Sequence, residues 1–219
     1  MPAVIESLNS RQGDGERVKL TFVGGVAIVV PAQIVVEHGL RAGALVDERG
    51  LERLRAEAEM SQARARGLRY LEARERSCAE VGRRLTRYGY TQQVVDGVVE
   101  WLGTLGYIDD ARFAESYVRS SRRRALGPRR IRAELRLKGV ATEVIEHALN
   151  AALEASSDSA EGELEELTSQ VRRKFGRLMV TDPVAARRRA AGLLGRRGYQ
   201  GSVIDKVIRS VEQKLQDES

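Results

Sequence analysis

Apolar positions set the first expectations. Between residues 17 and 31, Val18, Leu20 and Phe22 alternate with polar neighbours, and Val26 to Val30 form a second β-branched run. Gly24-Gly25 sits between them and can supply positive φ, so the pattern predicts a β-hairpin. A lone hairpin is marginal. It should therefore pack with a short helix over residues 31–38 and the Ala44-Leu45-Val46 run as a small α+β unit. The polar, glycine-spotted residues 1–16 are expected to be mobile, and a charged connector helix should occupy about 47–59.

From about residue 63 the apolar spacing becomes helical, and it repeats. Leu85, Gly89, Val94, Val95, Val98 and Val99 correspond, 50 positions on, to Leu135, Gly139, Val144, Ile145, Ala148 and Leu149. A further step of 59 gives Leu194, Gly198, Val203, Ile204, Val207 and Ile208. Such a pattern describes a helix closed by a glycine, a short turn, and a helix with apolar residues at i, i+1, i+4 and i+5.

Upstream of each copy lie signals for two more helix segments. Leu68 and Leu71 mark a first helix, and Ser77 with Glu80 forms a capping box for a second. In the middle copy Asp109 and Asp110 can cap a helix carrying Phe113, Ala114, Tyr117 and Val118 on one face. Gly127-Pro128 then starts the helix of Ile131 and Leu135. In the last copy Leu164, Leu167, Val171 and Phe175 mark the first helix and Asp182-Pro183 opens the second. The expected fold is mainly α: three tandem three-helix repeats in an elongated curved array, preceded by the small α+β unit. Expected boundaries are 1–60 for the N-terminal unit, 61–108 and 109–154 for two repeats, 155–162 for an acidic linker, and 163–219 for the third repeat.

Composition adds a charge argument. The 219 residues carry a net charge of +6, with 5% aromatic residues and four prolines, which suits helices over a β-sandwich. Residues 111–154 hold ten basic side chains against five acidic ones. The basic candidates for an anionic partner are Arg112, Arg119, Arg122, Arg123, Arg124, Arg129, Arg130, Arg132, Arg136 and Lys138, with Arg172, Arg173, Arg187, Arg188 and Arg189 in the third repeat. A guanidinium is a planar fork of donors matched to phosphate or carboxylate. Some of this charge can be neutralised within a helix, as by Glu115 on Arg119. The runs 122–124 and 187–189 have little acid nearby in sequence.

Candidate chemistry is thin. His38 and His147 lie in different regions, Cys78 has no neighbouring histidine, and Asp109-Asp110 is explained by capping. Trp101 and Tyr107 read as core residues at helix ends, and no phosphate-binding glycine motif follows Gly24-Gly25. No catalytic residues, metal or cofactor are expected. A single cysteine, no long apolar run and no signal-peptide pattern in MPAVIESLNS lead us to expect a cytoplasmic protein with no membrane contact.

The segment 106–140 resembles the RecX family, bacterial regulators of the RecA recombinase. The matching elements are Gly106-Tyr107-Ile108-Asp109-Asp110, Arg112-Phe113-Ala114, Gly127-Pro128-Arg129-Arg130-Ile131, Leu135 and Lys138-Gly139. Through the repeated leucines, glycines and apolar pairs the resemblance covers about 64–214, leaving 1–60 outside. It implies a non-enzymatic negative regulator that binds the RecA–DNA filament. Such a regulator lowers filament extension, ATPase, strand exchange and co-protease activity, in the control of DNA repair, homologous recombination and the SOS response. The implied partner is the RecA filament, with single- or double-stranded DNA met through the filament or weakly alone, and a monomer is expected. The alternative from the residues themselves is a DNA-binding module of helix-turn-helix type, since each second and third helix are joined at a glycine.

Overall fold

The computed structural model describes residues 2–10, 17–154 and 160–217. Four strands and ten helices are assigned among them: β1 (Ala3–Ser10), β2 (Arg17–Phe22), β3 (Ala27–Pro31), α1 (Ala32–Glu37), β4 (Leu45–Val46), α2 (Glu48–Leu71), α3 (Cys78–Arg87), α4 (Gln92–Thr104), α5 (Asp110–Arg123), α6 (Pro128–Leu137), α7 (Thr142–Glu154), α8 (Ala160–Thr181), α9 (Pro183–Arg196) and α10 (Gly201–Gln216). The chain divides into two compact units, residues 1–75 with 81–107, and residues 76–80 with 108–219.

In the first unit the strands form one antiparallel sheet in the order β3-β2-β1-β4. The expected hairpin is β2–β3, closed by Phe22 N–H to Val26 C=O at 2.8 Å. The strand β1 overturns the expectation of a mobile start. It pairs on both edges, and Ile5 is fully buried with Leu20, Phe22, Val30 and Leu54. Its apolar alternation is broken by a register shift between Ile5 and Ser7. A bulge of this kind hides the period of two.

Helix α2 also differs from expectation. Connector and first repeat helix are one unbroken helix of 24 residues, capped by Asp47, whose carboxylate accepts from Gly50 N–H at 2.7 Å. Its N-terminal half packs Leu54 and Ala58 on the sheet. Its C-terminal half buries Ala63 and Gly67, and a Cβ at Gly67 would lie 3.2 Å from Leu102 Cδ1 of α4. Val81, Leu85, Val95, Val98 and Leu102 are buried with them in the first repeat.

The second unit holds two further three-helix blocks. Phe113, Val118, Ile131, Leu135, Ile145 and Leu149 form one core. Leu167, Val171, Leu194, Ile204, Val207 and Val211 form the other. The repeat-equivalent leucines Leu85, Leu135 and Leu194 are all buried, each contributing about 1.5–3 kcal/mol. The glycine that follows has φ of +88° at Gly89, +85° at Gly139 and +89° at Gly198, the left-handed cap that lets the chain leave the helix. Of the expected linker, 155–159 lie outside the described residues, and Gly162 is helical in α8.

Candidate protein and nucleic-acid interface

One contact to a backbone carbonyl recurs within the second unit. Ser77 and Gly127 are equivalent, 50 apart, at the start of a second helix; Lys138 and Arg197 are equivalent, 59 apart, at the end of one. Ser77 Oγ donates to the Lys138 carbonyl at 2.6 Å, and Gly127 N–H donates to the Arg197 carbonyl at 2.7 Å. The end of one repeat's second helix thus rests on the start of the preceding one. Ser77 also completes the expected capping box: Glu80 N–H donates to its Oγ at 3.1 Å, and its own N–H donates to Glu80 Oε2 at 3.3 Å.

The two aspartates divide their work. Asp109 caps α5 through Ala111 and Arg112 N–H groups, whereas Asp110 accepts from Cys78 N–H at 2.8 Å and so serves the start of α3. Burial, and then the Asp110 carboxylate, push the Cys78 thiol up to about 11, which keeps it protonated and unreactive. Among the described residues no cluster of His, Cys, Asp or Glu could hold a metal ion. His38 pairs with Glu57 at 3.1 Å, and His147 is exposed. Tyr107, expected in the core, is exposed instead, while Trp101 is half-buried under the Arg64 guanidinium at 4.8 Å.

The fifteen basic candidates separate into two groups. Several are committed within the fold. Arg122 donates to the Ala152 carbonyl at 2.5 Å and pairs with Glu163 at 2.7 Å. Arg132 grips Glu146 with two bonds of 2.6 and 2.8 Å. Arg130 pairs with Glu134 at 2.9 Å and reaches the Arg196 carbonyl at 3.2 Å. Arg124 donates to Ser121 Oγ, Lys138 pairs with Glu80 at 3.4 Å, and Arg187 pairs with Glu212 at 2.5 Å. The hydrogen bond from Arg132 holds the Glu146 carboxyl below its ordinary range. The Tyr117 hydroxyl, then Arg130, does the same for Glu134. Arg172 is half-buried and Arg112 is exposed.

Arg119, Arg123, Arg129, Arg136, Arg173, Arg188 and Arg189 are exposed and have no ion-pair partner among the described residues. The expected Glu115–Arg119 pair is not formed. Arg112, Arg119 and Arg123, at spacings of seven and four, lie along one face of α5; Arg129 and Arg136, seven apart, do so on α6. These stripes face away from Phe113, Val118, Ile131 and Leu135, because the same periodicity turns those into the core. An exposed guanidinium row with little acid beside it can receive carboxylates or phosphates. The basic candidates left out the first repeat, where Arg66-x3-Tyr70 and Arg84-x3-Tyr88 place arginine and tyrosine one helical turn apart. That spacing was a readable signal.

Three glycine-closed three-helix blocks, with an end-to-start contact that recurs within the second unit, define a tandem helical-repeat protein. Family models match the same partition: the first, second and third three-helix domains of RecX match residues 63–102, 109–149 and 161–208. The regulatory protein RecX of Mycobacterium ulcerans (strain Agy99) is 42% identical over 149 residues, covering 67% of this chain and 83% of that protein. That of Stenotrophomonas maltophilia (strain R551-3) is 39% identical over 145 residues, covering 66% and 83%. A crystal structure of a regulatory protein RecX has the same fold, with a TM-score of 0.72 at 22% identity over 94% of this chain and 98% of that one. RecX from Lactobacillus salivarius gives 0.61 at 22% identity over 71% and 97%. The chain belongs to the RecX family of regulatory proteins and is a non-enzymatic regulator. Among the described residues no helix is long and apolar enough to cross a membrane.

Proposed function

We propose that this protein is a negative regulator of the RecA recombinase in the cytoplasm. It binds the RecA–DNA filament and lowers filament extension, ATPase, strand exchange and co-protease activity, and so restrains DNA repair by recombination. Family membership supports the choice of RecA. The observation that carries the choice of surface is the exposed arginine row on α5 and α6, Arg119, Arg123, Arg129 and Arg136, free of ion-pair partners among the described residues. Those forks meet acidic side chains of the recombinase, phosphates of the enclosed DNA, or both, and such contacts are steered by charge and weakened by salt. A duplex-reading helix-turn-helix role fits less well, since the third helices expose Asp96, Glu143 and Asp205 where base-reading helices present Arg, Lys, Asn or Gln.

The test is RecA ATPase on single-stranded DNA, with the wild type and with Arg119→Glu/Arg123→Glu/Arg129→Glu. We expect inhibition by the former and its loss in the latter, with unchanged thermal unfolding. A folded triple variant that inhibits fully removes this surface from the proposal. A wild-type protein that leaves RecA untouched removes the proposal itself.

A further inference from the structure

An unassigned cluster lies in the first repeat, on α2 and the turn that closes α3. Arg66, Arg69, Tyr70, Arg84 and Tyr88 line an open cleft of about 350 Å³. The Tyr88 ring has the Arg66 guanidinium 4.6 Å from its centroid and that of Arg84 at 5.0 Å. Arg84 also lies 5.4 Å from the Tyr70 ring, and Arg66 lies 5.5 Å from that of Tyr90. No carboxylate lines the cleft, and Arg66, Arg69 and Arg84 have no ion pair among the described residues. Glu80, one turn before Arg84, is engaged by Ser77 and Lys138. Three like charges converging on one concavity repel one another, and an anion entering it relieves that repulsion.

The internal repeat shows why the cleft is open. Tyr88 occupies the position of Lys138 and Arg197. Those two residues offer their carbonyls to the start of the preceding repeat's second helix. The first repeat has no repeat before it, and among the described residues nothing donates to the Tyr88 carbonyl; the residue is 44% exposed. The position is thus released from docking, and it carries a tyrosine, one turn after Arg84, where the other two copies carry a contact.

We propose that this cleft binds single-stranded nucleic acid, with a backbone phosphate held by the forks of Arg69 and Arg84 and an adjacent base laid on the arginine–tyrosine stack around Tyr88. Guanidinium forks alone would suit any phosphate or carboxylate. The aromatic planes select among anions, because stacking rewards an unpaired nucleobase and gives nothing to an acidic peptide. In a duplex the bases are already stacked on each other, so the tyrosines favour a single strand.

The experiment uses the full-length protein without RecA, so its outcome is independent of the function proposed above. Anisotropy of a labelled oligothymidylate of about 20 nucleotides, several times the footprint of such a site, is followed against salt. We expect Arg69→Gln/Arg84→Gln to weaken binding at least about tenfold and to flatten the slope of log K against log salt by about 0.7, the share of one neutralised phosphate on a single strand. Tyr88→Leu should weaken binding while leaving that slope unchanged. Ultraviolet crosslinking of the wild-type complex should join thymine to Tyr70 or Tyr88, a readout that needs no variant to fold. The proposal is overturned if the double variant binds with unaltered affinity and slope, or if crosslinks map only to residues 108–217. It is overturned in favour of an acidic protein partner if polyglutamate binds with the same arginine dependence and the oligonucleotide does not.

Discussion

Gly127 and Gly198 meet backbone to backbone. A Cβ built on Gly127 would sit 2.5 Å from the carbonyl carbon of Gly198, and one on Gly198 would run into the Arg130 amide nitrogen. Neither obstacle is the flexible end of a side chain, so neither can swing away. Gly127→Ala and Gly198→Ala should each cost about 3 kcal/mol, in the range of overpacked sites. Gly89 shares the positive φ of Gly198 but has nothing within 4 Å of its missing Cβ, so Gly89→Ala should cost only about 1 kcal/mol. Urea unfolding of the three variants measures this. A loss in Gly198→Ala no larger than that in Gly89→Ala would mean that backbone conformation, and not the close approach, selects glycine at position 198, and a negligible loss in Gly127→Ala, whose φ of −77° suits any residue, would remove the close approach.

Arginines that look alike in sequence should part company on substitution. Arg122→Ala removes bonds to the Ala152 carbonyl and the Glu163 carboxylate at a half-buried site. It should destabilise the protein by about 2 kcal/mol. Arg123→Ala, at an exposed site with no ion pair among the described residues, should stay within about 0.5 kcal/mol of wild type. For RecA inhibition the order reverses: Arg123→Glu should weaken it in a protein with wild-type thermal unfolding, as ATPase and calorimetry together would reveal.

Glu134 ties stability to acid pH. Its carboxyl is held below its ordinary range first by the Tyr117 hydroxyl and then by Arg130. A carboxyl whose folded pKa is depressed contributes stability that is present above its unfolded pKa of about 4.3 and is lost as pH falls through the folded one. Unfolding free energy should therefore drop as pH falls below about 4.3, with the unfolded chain binding the extra protons. Glu134→Gln should flatten that drop while lowering stability at neutral pH. A variant with the wild-type acid limb would show that the Tyr117–Glu134 contact is not held in solution.

Cys78 should be slow to alkylate. With its thiol pushed up to about 11 from 9.0, the thiolate fraction at neutral pH falls about a hundredfold below that of an ordinary thiol. Iodoacetamide labelling of the folded protein should lag that of the urea-unfolded chain by at least that factor. Asp110→Asn should speed it by removing the second cause of the shift. Labelling at the unfolded rate in native buffer would contradict the half-buried placement beside Asp110.

The helical repeats were legible because their signals are local: a leucine, a glycine four later, and apolar pairs at helical spacing. Gly89, Gly139 and Gly198 took up the left-handed caps expected of them, and Ser77 with Glu80 formed its capping box. Strand β1 escaped notice because its bulge breaks the alternation on which a strand is read. The fusion of connector and first repeat helix in α2 was legible, since residues 59–66 carry no Gly or Pro to stop a helix; the change of apolar spacing near residue 63 suggested a boundary that the backbone does not have. The fates of the arginines were illegible for a different reason. Glu163 lies 41 positions from Arg122, Glu146 lies 14 from Arg132, and Glu212 lies 25 from Arg187. Partners that far apart are chosen by helix packing, which composition near the arginine does not report.

Because α2 passes without a break from Leu54 under the sheet to Ala63 against the first repeat, those two regions are geared together. One residue inserted near Met60 would rotate whatever follows by about 100° about the helix axis, taking Arg66 and Tyr70 off their present heading relative to the strands. Lineages that lengthen or trim this rod are thus confined to steps of whole turns, or must re-cut one of the two faces it serves.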